Sequence, residues 1–314
     1  MTRVLVTGAA GFVGSHLCEA LAERGDHVVG VDCFTPYYER GIKDANATRV
    51  RAAGVEILEH DLRVADVHAL LDGVDVVYHQ AGQPGVRLSW SDGFGEYVEH
   101  NVLVTQRLLE AAHDRRVGRF VYASSSSVYG NQPRYPTRET DVPAPHSPYG
   151  VTKLAGEHLC SLYAANWGLS TVSLRYFTVF GPRQRPDMAI HRLCEAALGR
   201  GRFPRYGDGS AVREFTFVAD IVAGNLDAAV ADVAPGTYVN LAGGAEIVLR
   251  DLIALVEEVS GRSIDIEQHD TMPGDSKRNG GAIDRARELL GWEPEVSLRD
   301  GVAAQLAWHS EVCR

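Results

Sequence analysis

The residues with the clearest chemical potential are Tyr149 and Lys153, which stand four apart in "SPYGVTKLAGEHL". Ser147 and Pro148 before them are typical of a helix start, so both side chains should lie on one helical face. There the lysine ammonium can stabilise a tyrosinate and pull the phenol pKa down from about 10. Taken alone, such a pair is more often a solvated surface pair. The elements around it decide between a base and a surface contact.

A run of four serines precedes this helix in "YASSSSVYG", Tyr122 to Gly130. The apolar "RFVYA" before the serines predicts a buried strand, so the run stands at a strand end and is not a flexible linker. The sequence therefore predicts hydroxyl groups at a strand end, followed along the chain by the Tyr149 helix.

Gly8, Gly11 and Gly14 lie between a predicted strand and a predicted helix in "VLVTGAAGFVGSHL". Glycines with this G-x-x-G-x-x-G spacing let the backbone turn tightly and approach a pyrophosphate at the start of the helix. The pattern therefore predicts a dinucleotide-binding loop, and its position between strand and helix strengthens that prediction.

Two acidic residues end the second and third predicted strands. Asp32 can accept hydrogen bonds from both ribose hydroxyls and would repel a 2′-phosphate, so we predict NAD rather than NADP. The oxidised nicotinamide would add a second positive charge to lower the pKa of Tyr149. Asp61 fits either the adenine edge or a cap for the segment from Arg63, and the sequence favours neither.

Short β-branched runs alternate with helical patterns through the first half of the chain, which predicts an α/β fold with a doubly wound parallel (Rossmann) sheet. The strand-like runs are "RVLVTG", "HVVGVD", "VEILEHD", "DVVYHQAG", "RFVYASS" and "STVSLRYF". We expect a dinucleotide-binding domain at 1–178, to which 213–243 returns. A smaller, interleaved C-terminal α/β domain should comprise 179–212 and 244–314.

Composition excludes several classes of function. A net charge of −10 and a pI of about 5.6 give no basic face, so nucleic acid is not an expected partner. The start of the chain lacks a signal-peptide pattern and no apolar run has membrane-spanning length, which predicts a cytoplasmic protein with no membrane partner. No His-Glu-x-x-His or Cys-x-x-Cys pattern occurs, so we assign no metal site. The scattered cysteines, expected to be reduced thiols, are Cys18, Cys33, Cys160, Cys194 and Cys313.

Taken in order, the motifs resemble the extended short-chain dehydrogenase/reductase family, in particular its NAD-dependent sugar-nucleotide epimerases and dehydratases. The matching stretches run nearly end to end: "TGAAGFVGSHL", "VYASSSSVYG", "YGVTK", "REFTFVADIV", "PGD" and "ARELLGWEPEVSLRDGV". The resemblance implies that Ser125 holds or relays the proton of a sugar C4 hydroxyl while Tyr149 removes it, assisted by Lys153. It also implies an NAD site made of Gly8, Gly11, Phe12, Val13, Gly14, Asp32, Asp61, Leu62, Gln80, Ala81, Tyr149, Lys153 and Tyr176.

Dehydratases of this family carry Asp-Glu directly after the catalytic Ser or Thr. This chain has Ser126 and Ser127 there, which cannot act as an acid/base pair near neutral pH, so 4,6-dehydration is not expected. Transient C4 oxidation followed by return of the hydride to the other face of the sugar remains the simplest reaction.

The stretch "LRYFTVFGPRQRPDMA" is similar to the pattern of UDP-glucuronate 4-epimerases, as is "PYYERGIK" after Asp32. A substrate carboxylate needs donors or a cation, and arginine offers two charge-assisted hydrogen bonds. The resemblance implies that Thr178, Arg185, Ser126 and Ser127 surround a C6 carboxylate, although Arg185 could equally be an exposed loop charge. Other residues implied at the UDP-sugar are Arg87 by the active-site loop, Tyr206 beside the uracil, Arg213 at the diphosphate and Asp275 near the ribose.

Several alternatives stay open. Arg183 and Gln184 replace the Trp-Gly common in that subgroup and resemble the "GPR" of UDP-glucuronate decarboxylases, so decarboxylation remains possible. UDP-glucose/UDP-galactose 4-epimerase is a second competitor, and a non-catalytic NAD-sensing scaffold is a third, disfavoured because it has no need of the three catalytic side chains. By analogy with the family we also expect a homodimer, formed through helices at Glu99–Ala112 and Tyr149–Ala165.

Overall fold

The structure, a computed structural model, describes residues 1–270 and 278–312. Its strands are β1 Arg3–Thr7, β2 His27–Asp32, β3 Glu56–Glu59, β4 Val76–His79, β5 Arg119–Ser125, β6 Thr171–Tyr176, β7 Val179–Phe180, β8 Phe203–Tyr206, β9 Val212–Glu214, β10 Thr216–Phe217, β11 Thr237–Leu241, β12 Glu246–Val248 and β13 Ile266–His269. Its α-helices are α1 Phe12–Glu23, α2 Arg40–Ala52, α3 Val67–Leu70, α4 Phe94–Tyr97, α5 Val104–Asp114, α6 Pro148–Trp167, α7 Ala189–Ala197, α8 Val218–Val230, α9 Leu249–Ser260, α10 Asp284–Leu290 and α11 Leu298–Val312.

The main sheet confirms the predicted doubly wound fold. Within the described residues it has seven strands in the order β11-β6-β5-β4-β1-β2-β3, all parallel. From β1 the chain adds strands β2 and β3 on one side of the sheet and then β4, β5, β6 and β11 on the other. Ligands bind at the carboxyl ends of the strands at such a change of side, here between β1 and β4. The carboxyl ends of the strands meet along one edge, so Thr7, Asp32, Ser125 and Tyr176 are brought together although they are far apart in the chain.

Alternating strand residues bury two faces of this sheet. Val4 and Val6 pack into one apolar cluster with helices α1 and α8, whereas Leu5 packs into a second cluster with α5 and α6. Successive residues of a strand face opposite sides of the sheet, and both sides are buried. The strands therefore appear in the sequence as continuous apolar runs. Helices therefore cover both faces and hold the strand ends in fixed positions.

A smaller cluster of elements lies beyond the carboxyl edge of the sheet. Its core includes Phe180, Leu193, Phe203, Leu252 and Val302, packed between α7, α9, α11 and the short two-stranded pairs β8–β13 and β9–β12. Between its parts the chain returns through α8 to β11, at the edge of the main sheet. Across the residues that the structure describes, no helix combines the length and apolar character needed to cross a membrane.

An irregular turn in one helix was not expected from the sequence. The helix beginning at Phe94 passes through a π-helical turn at Val98–Leu103 before α5. Such turns are rare and often occur at functional sites. Here the π turn carries Asn101, whose side chain contacts Gln83 and Thr152 at the border of the site described below.

Candidate active site

A cavity of about 840 Å³ lies between the carboxyl edge of the sheet and the smaller cluster. Every described residue that the sequence assigned to the cofactor or the substrate lines it, from Gly8 in the first loop to Arg213 in β9. Asp275 lies outside the described residues. The cavity brings the predicted residues together, while their contacts with a ligand stay predictions.

The glycine loop has the close approaches that the motif requires. Gly8 has a φ of +72°, and a Cβ at this position would lie 2.9 Å from the Ala81 backbone N. A Cβ at Gly14 would lie only 2.1 Å from the Gly8 carbonyl O. Gly11 is the N-cap of α1 and makes no side-chain cap hydrogen bond, so the N–H groups of the first turn remain for an anionic ligand.

Asp32 is held by a set of donors at the end of β2. Its Oδ2 accepts from Ala10 N at 3.1 Å, and its Oδ1 accepts from Phe34 N at 2.7 Å and from Lys43 Nζ at 3.0 Å. Lys43 is buried with it. The sequence showed Lys43 only as the end of "PYYERGIK", and its pairing with Asp32 depends on how α2 packs against β2.

Asp61 caps a turn, and its contact with an adenine stays a prediction. Its Oδ1 accepts from Arg63 N at 2.9 Å, which caps a turn, and both oxygens accept from the Arg63 guanidinium. It also lines the cavity, next to the buried Leu62. The Arg63 hydrogen bonds lower the pKa of Asp61 despite partial burial, so the carboxylate stays charged.

A compact polar group lies at the ends of β4 and β6. Tyr176 Oη donates towards Gln80 Oε1 at 3.0 Å and Asn225 Oδ1 at 2.9 Å, and Gln80 Nε2 donates to the same Asn225 oxygen. Burial raises the pKa of Tyr176, so it is a neutral hydrogen-bonding group. Asn225 was missed because it sits in the middle of α8, where the sequence shows only a helical pattern.

Ser125 and Tyr149, the predicted catalytic pair, lie together in the cavity. Ser125 Oγ accepts from Ser127 N at 3.1 Å, which leaves the serine proton for Tyr149. Burial raises the Tyr149 pKa above its usual value, whereas the hydrogen bond from Ser125 and the charge of Arg185 lower it in part. The arrangement suits a phenol that exchanges a proton through a fixed hydroxyl.

Lys153 lies on α6 with Tyr149, as the i, i+4 spacing predicted, and its assistance to Tyr149 stays a prediction. Its Nζ donates to the Ala123 carbonyl O at 2.9 Å. Burial lowers the Lys153 pKa to about 8, although nearby Cys160 and Glu157 raise it. Burial therefore leaves the Tyr149 phenol harder to ionise in the protein alone than its usual value implies.

Asn101 from the π turn fixes the loop that borders Lys153. Its Oδ1 accepts from Gln83 N at 2.7 Å, and its Nδ2 donates to Gln83 O and to Thr152 Oγ1. This one side chain thus joins the loop after β4 to the catalytic helix α6. An asparagine in an ordinary helical pattern gave no signal of this role.

A buried ion pair between Glu157 and Arg175 lies next to strand β5, which carries Ser124 and Ser125. Glu157 accepts two hydrogen bonds from Arg175 at 2.9 and 2.7 Å, and Ser124 donates to the same carboxylate. Arg175 also donates to Tyr129 Oη at 2.8 Å. Ser124 is therefore a structural residue, one position before β5 ends at Ser125.

The sugar end of the cavity carries a paired arginine. Arg185 donates from Nε and Nη2 to both oxygens of Asp187, at 3.0 and 3.1 Å, and Tyr37 Oη donates to the same carboxylate at 3.3 Å. Thr178 and Ser127 line the same cavity. Arg185 is therefore no exposed loop charge, and the sequence did not single out its partner Asp187.

Ser126 has a partner from the far end of the chain. Its Oγ accepts from Asn279 Nδ2 at 3.1 Å, and Asn279 lines the cavity. Asn279 Oδ1 is buried with no hydrogen-bond partner among the described residues. Asn279 was missed because it follows the "PGD" motif in a segment without a regular pattern.

Arg183 pairs with helix α1. It donates to both oxygens of Glu19 at 2.9 and 2.8 Å and to Ser15 Oγ at 3.2 Å, which anchors the loop to α1. It does not line the cavity. The "GPR" similarity to decarboxylases therefore reflects a structural arginine and places no group next to the reacting sugar.

Another part of the cavity wall is formed by Arg87, Tyr206 and Arg213. The Arg87 guanidinium lies 4.2 Å from the centre of the Tyr206 ring, and Tyr206 stacks on His269 at 5.1 Å between ring centres. Arg213 lines the cavity from β9, and its Nη1 donates to the Val212 carbonyl. These side chains offer a flat apolar surface with two positive charges.

The sequence profile of the NAD dependent epimerase/dehydratase family matches residues 4–242. The chain belongs to this family. It is 40% identical to the "Uncharacterized UDP-glucose epimerase YtcB" of Bacillus subtilis, over 99% of this chain and 98% of that protein. It is 32% identical to a UDP-glucuronate 4-epimerase of Thermodesulfobacterium geofontis, over 99% and 97% of the two chains. A crystal structure of the UDP-glucuronic acid 4-epimerase of Bacillus cereus with UDP-glucuronic acid and NAD superposes with a TM-score of 0.95, at 40% identity, over 99% of this chain and all of that one.

The residues of this family member fit an NAD molecule. The crowded glycine turn leaves backbone space at the start of α1, and Asp32 offers carboxylate oxygens for a ribose. When bound, NAD supplies the hydride acceptor and, in its oxidised form, a positive charge. Ser125 and Tyr149 can then exchange the proton of a sugar hydroxyl, and Lys153 keeps a cation at the adjoining strand end below about pH 8.

Proposed function

We propose that the protein is a UDP-glucuronate 4-epimerase, which interconverts UDP-glucuronate and UDP-galacturonate. Tyr149 removes the C4 hydroxyl proton through Ser125, C4 is oxidised transiently, and hydride returns to the opposite face. The observation that carries the proposal is that Arg185 lines the same cavity as Ser125 and Tyr149, and its charge acts on the Tyr149 phenol. A cation so near the reacting centre suits a sugar with a carboxylate.

The sugar end has a second task, which is to prevent loss of carbon dioxide. Oxidation at C4 of a glucuronate gives a β-keto acid, which decarboxylates readily when its C5–C6 bond stands perpendicular to the ketone plane. Donors from Arg185, Thr178, Ser126 and Ser127 hold the carboxylate so that this bond stays near that plane. Asn279 supports this group, because it donates to Ser126 Oγ.

The two parts of the chain divide the substrates. Residues 1–178 and 213–243 bind NAD, and residues 179–212 and 244–314 bind the UDP-sugar. In the second part, Tyr206 contacts the uracil, and Asp275, outside the described residues, is assigned to the ribose. Arg213, at the start of the returning segment, neutralises the diphosphate, and Arg87 contributes from the active-site loop. The stacked, cation-bearing wall around Tyr206 supports this assignment.

One experiment tests the reaction. The purified enzyme is incubated with UDP-glucuronate or with UDP-glucose, the anomeric protons are followed by NMR, and carbon dioxide is trapped. Formation of UDP-galacturonate without carbon dioxide is expected. A pentose product with carbon dioxide would identify a decarboxylase, and turnover of UDP-glucose alone would identify a hexose epimerase.

UDP-glucose 4-epimerase is a second candidate because of the Arg185–Asp187 pair. The carboxylate of Asp187 neutralises part of the arginine charge, which would let an uncharged hydroxymethyl group enter the same end of the cavity. The YtcB relative, described as a UDP-glucose epimerase, adds weight to this candidate.

The protein acts as a homodimer in the cytoplasm. Apolar side chains are exposed along the Phe94–Asp114 helix and α6, among them Leu103, Val151, Leu162 and Trp167, and a second copy would cover them. The cysteines Cys18, Cys33, Cys160 and Cys194 are free thiols, which suits a reducing compartment. Sedimentation tests the dimer: Leu162→Glu should yield monomers, whereas Val230→Glu, at an exposed position on α8, should not.

A further inference from the structure

The side chain of Tyr37 lies where three loops around the cavity meet. It belongs to the loop between β2 and α2, which begins directly after Asp32. Its hydroxyl donates to Asp187 Oδ2 at 3.3 Å, in the loop between β7 and α7. A Cβ at Gly85, in the loop after β4, would lie only 2.2 Å from Tyr37 Oη. Tyr37 therefore joins the segment next to the cofactor end to the loop that carries Arg185.

Contacts on several sides hold the Tyr37 ring. The Arg185 guanidinium lies 5.8 Å from its centre, and the Tyr38 ring packs edge-on against it with the ring centres 6.2 Å apart. Burial and the nearby charge of Asp187 raise the pKa of Tyr37 to about 12. The phenol therefore keeps its proton at neutral pH and acts as a hydrogen-bond donor.

Asp187 accepts from both of these neighbours. Arg185 donates to its two oxygens from Nε and Nη2, and Tyr37 donates to the same oxygen as Nη2. A guanidinium edge that is bound to one carboxylate in this way cannot bind a second carboxylate through the same two N–H groups. A substrate carboxylate that takes this edge must therefore displace Asp187.

We propose that Tyr37 is a positioning residue for uronate binding, which holds Asp187 when Arg185 turns from that carboxylate to the C6 carboxylate of the substrate. The inference rests on the proposed function. With Tyr37 present, the displaced Asp187 retains one protein donor, so its release costs less free energy. An uncharged hydroxymethyl group at C6 requires no exchange of carboxylates, so Tyr37 should affect the binding of UDP-glucuronate and not that of UDP-glucose.

Calorimetry on the NAD-bound enzyme tests the proposal, with UDP-glucuronate and UDP-glucose as ligands. Tyr37→Phe keeps the ring but removes the donor, so the Kd for UDP-glucuronate should rise by about three- to tenfold, while that for UDP-glucose should not change. The kcat for epimerisation should stay within about twofold of wild type, because only binding is affected. Tyr238→Phe is the control, since Tyr238 does not line the cavity and its ring contact with Arg175 is kept; both Kd values should be unchanged.

A double variant gives the sharper test. Asp187→Asn removes the carboxylate that Tyr37 holds, so adding Tyr37→Phe to it should have no further effect on the Kd for UDP-glucuronate. The proposal is overturned if Tyr37→Phe binds UDP-glucuronate as wild type does, or if it weakens the binding of both sugars equally. It is also overturned if Tyr37→Phe has the same effect with and without the Asp187 carboxylate.

Failure of the proposed function would give a different result. A wild-type enzyme that binds UDP-glucuronate no more tightly than UDP-glucose, and forms no UDP-galacturonate, would contradict that function and this inference with it. A wild-type enzyme that forms UDP-galacturonate, with a Tyr37→Phe variant that binds UDP-glucuronate normally, would overturn the role of Tyr37 alone.

Discussion

The two ends of the active-site cavity differ in the groups that line them. The cofactor end consists mostly of backbone groups. A Cβ at Gly8 or Gly14 would lie too close to neighbouring backbone atoms, so these positions require glycine. The carboxylate of Asp32 is the main side-chain group at this end. The sugar end is made of side chains that pair across loops, such as Arg185 with Asp187 and Ser126 with Asn279. A short motif can encode the first kind of site, whereas the second depends on the completed fold.

The largest effect is expected where the two ends meet, at Tyr149. Tyr149→Phe removes the proton acceptor but keeps the ring, so kcat should fall by about 10²–10⁴-fold while UDP-sugar affinity is retained. Tyr163→Phe is the matched control, because its hydroxyl contacts Glu110 and Gln106 outside the cavity. Equal loss of activity in both variants would mean that Tyr149 is not the base.

A glycine substitution tests the backbone character of the cofactor end. Gly14→Ala would place a Cβ 2.1 Å from the Gly8 carbonyl O, and overpacking of this kind costs up to about 3 kcal/mol. NAD binding should weaken by roughly 100-fold, measured by calorimetry on the protein freed of cofactor. Gly41→Ala, whose Cβ would meet nothing within 4 Å, should bind NAD normally. Normal binding by Gly14→Ala would show that the turn tolerates a side chain.

Two arginines of one loop provide a sharper comparison at the sugar end. Arg183→Met breaks a largely buried pair with Glu19, whose side chain is 29% exposed. The free energy of unfolding should fall by roughly 2 kcal/mol, less than for a fully buried pair. Urea unfolding measures this, and the preference between UDP-sugars should not change. A changed preference with unchanged stability would assign Arg183 to the substrate instead.

The smallest effect is expected at the partner of the second arginine. Asp187→Asn removes the carboxylate that competes with a substrate carboxylate for Arg185. A partly exposed pair of this kind contributes up to about 1 kcal/mol, so the KM for UDP-glucuronate should fall by up to about fivefold, while that for UDP-glucose should not fall. A rise in the KM for UDP-glucuronate would show that Asp187 positions the arginine and does not compete with substrate.

The contrast between the two ends also explains what the sequence could predict. The parallel strands, the glycine turn and Asp32 followed from local pattern, because apolar runs and glycine spacing are properties of short segments. Lys43, Asp187 and Asn279 were missed because their partners are supplied by other elements. Arg183 was noted only for its "GPR" similarity to decarboxylases, and its pairing with Glu19 on α1 could not be seen in the sequence.

The same limit applies away from the cavity. The edge-to-face pair of His191 and His309 gave no signal in the sequence, since the two residues lie on helices far apart in the chain. Their hydrogen bonds to Gln184 and Glu195 are properties of the packed interior. The Tyr-x-x-x-Lys spacing likewise placed Lys153 on the correct helix, but its hydrogen bond to Ala123 O requires strand β5.

Arg185 is the residue on which the account of the sugar end depends most. The direct measurement is the ratio of kcat/KM for UDP-glucuronate to kcat/KM for UDP-glucose, with carbon dioxide trapped, in wild type and in Arg185→Met. We expect wild type to favour the uronate by roughly 10- to 100-fold, as a charge-assisted contact of about 1.5–3 kcal/mol would give. Arg185→Met should lose most of this preference and release carbon dioxide as a larger share of its product. A wild-type ratio near one, or a variant with the same ratio and no added carbon dioxide, would contradict a carboxylate-binding role for this end of the cavity.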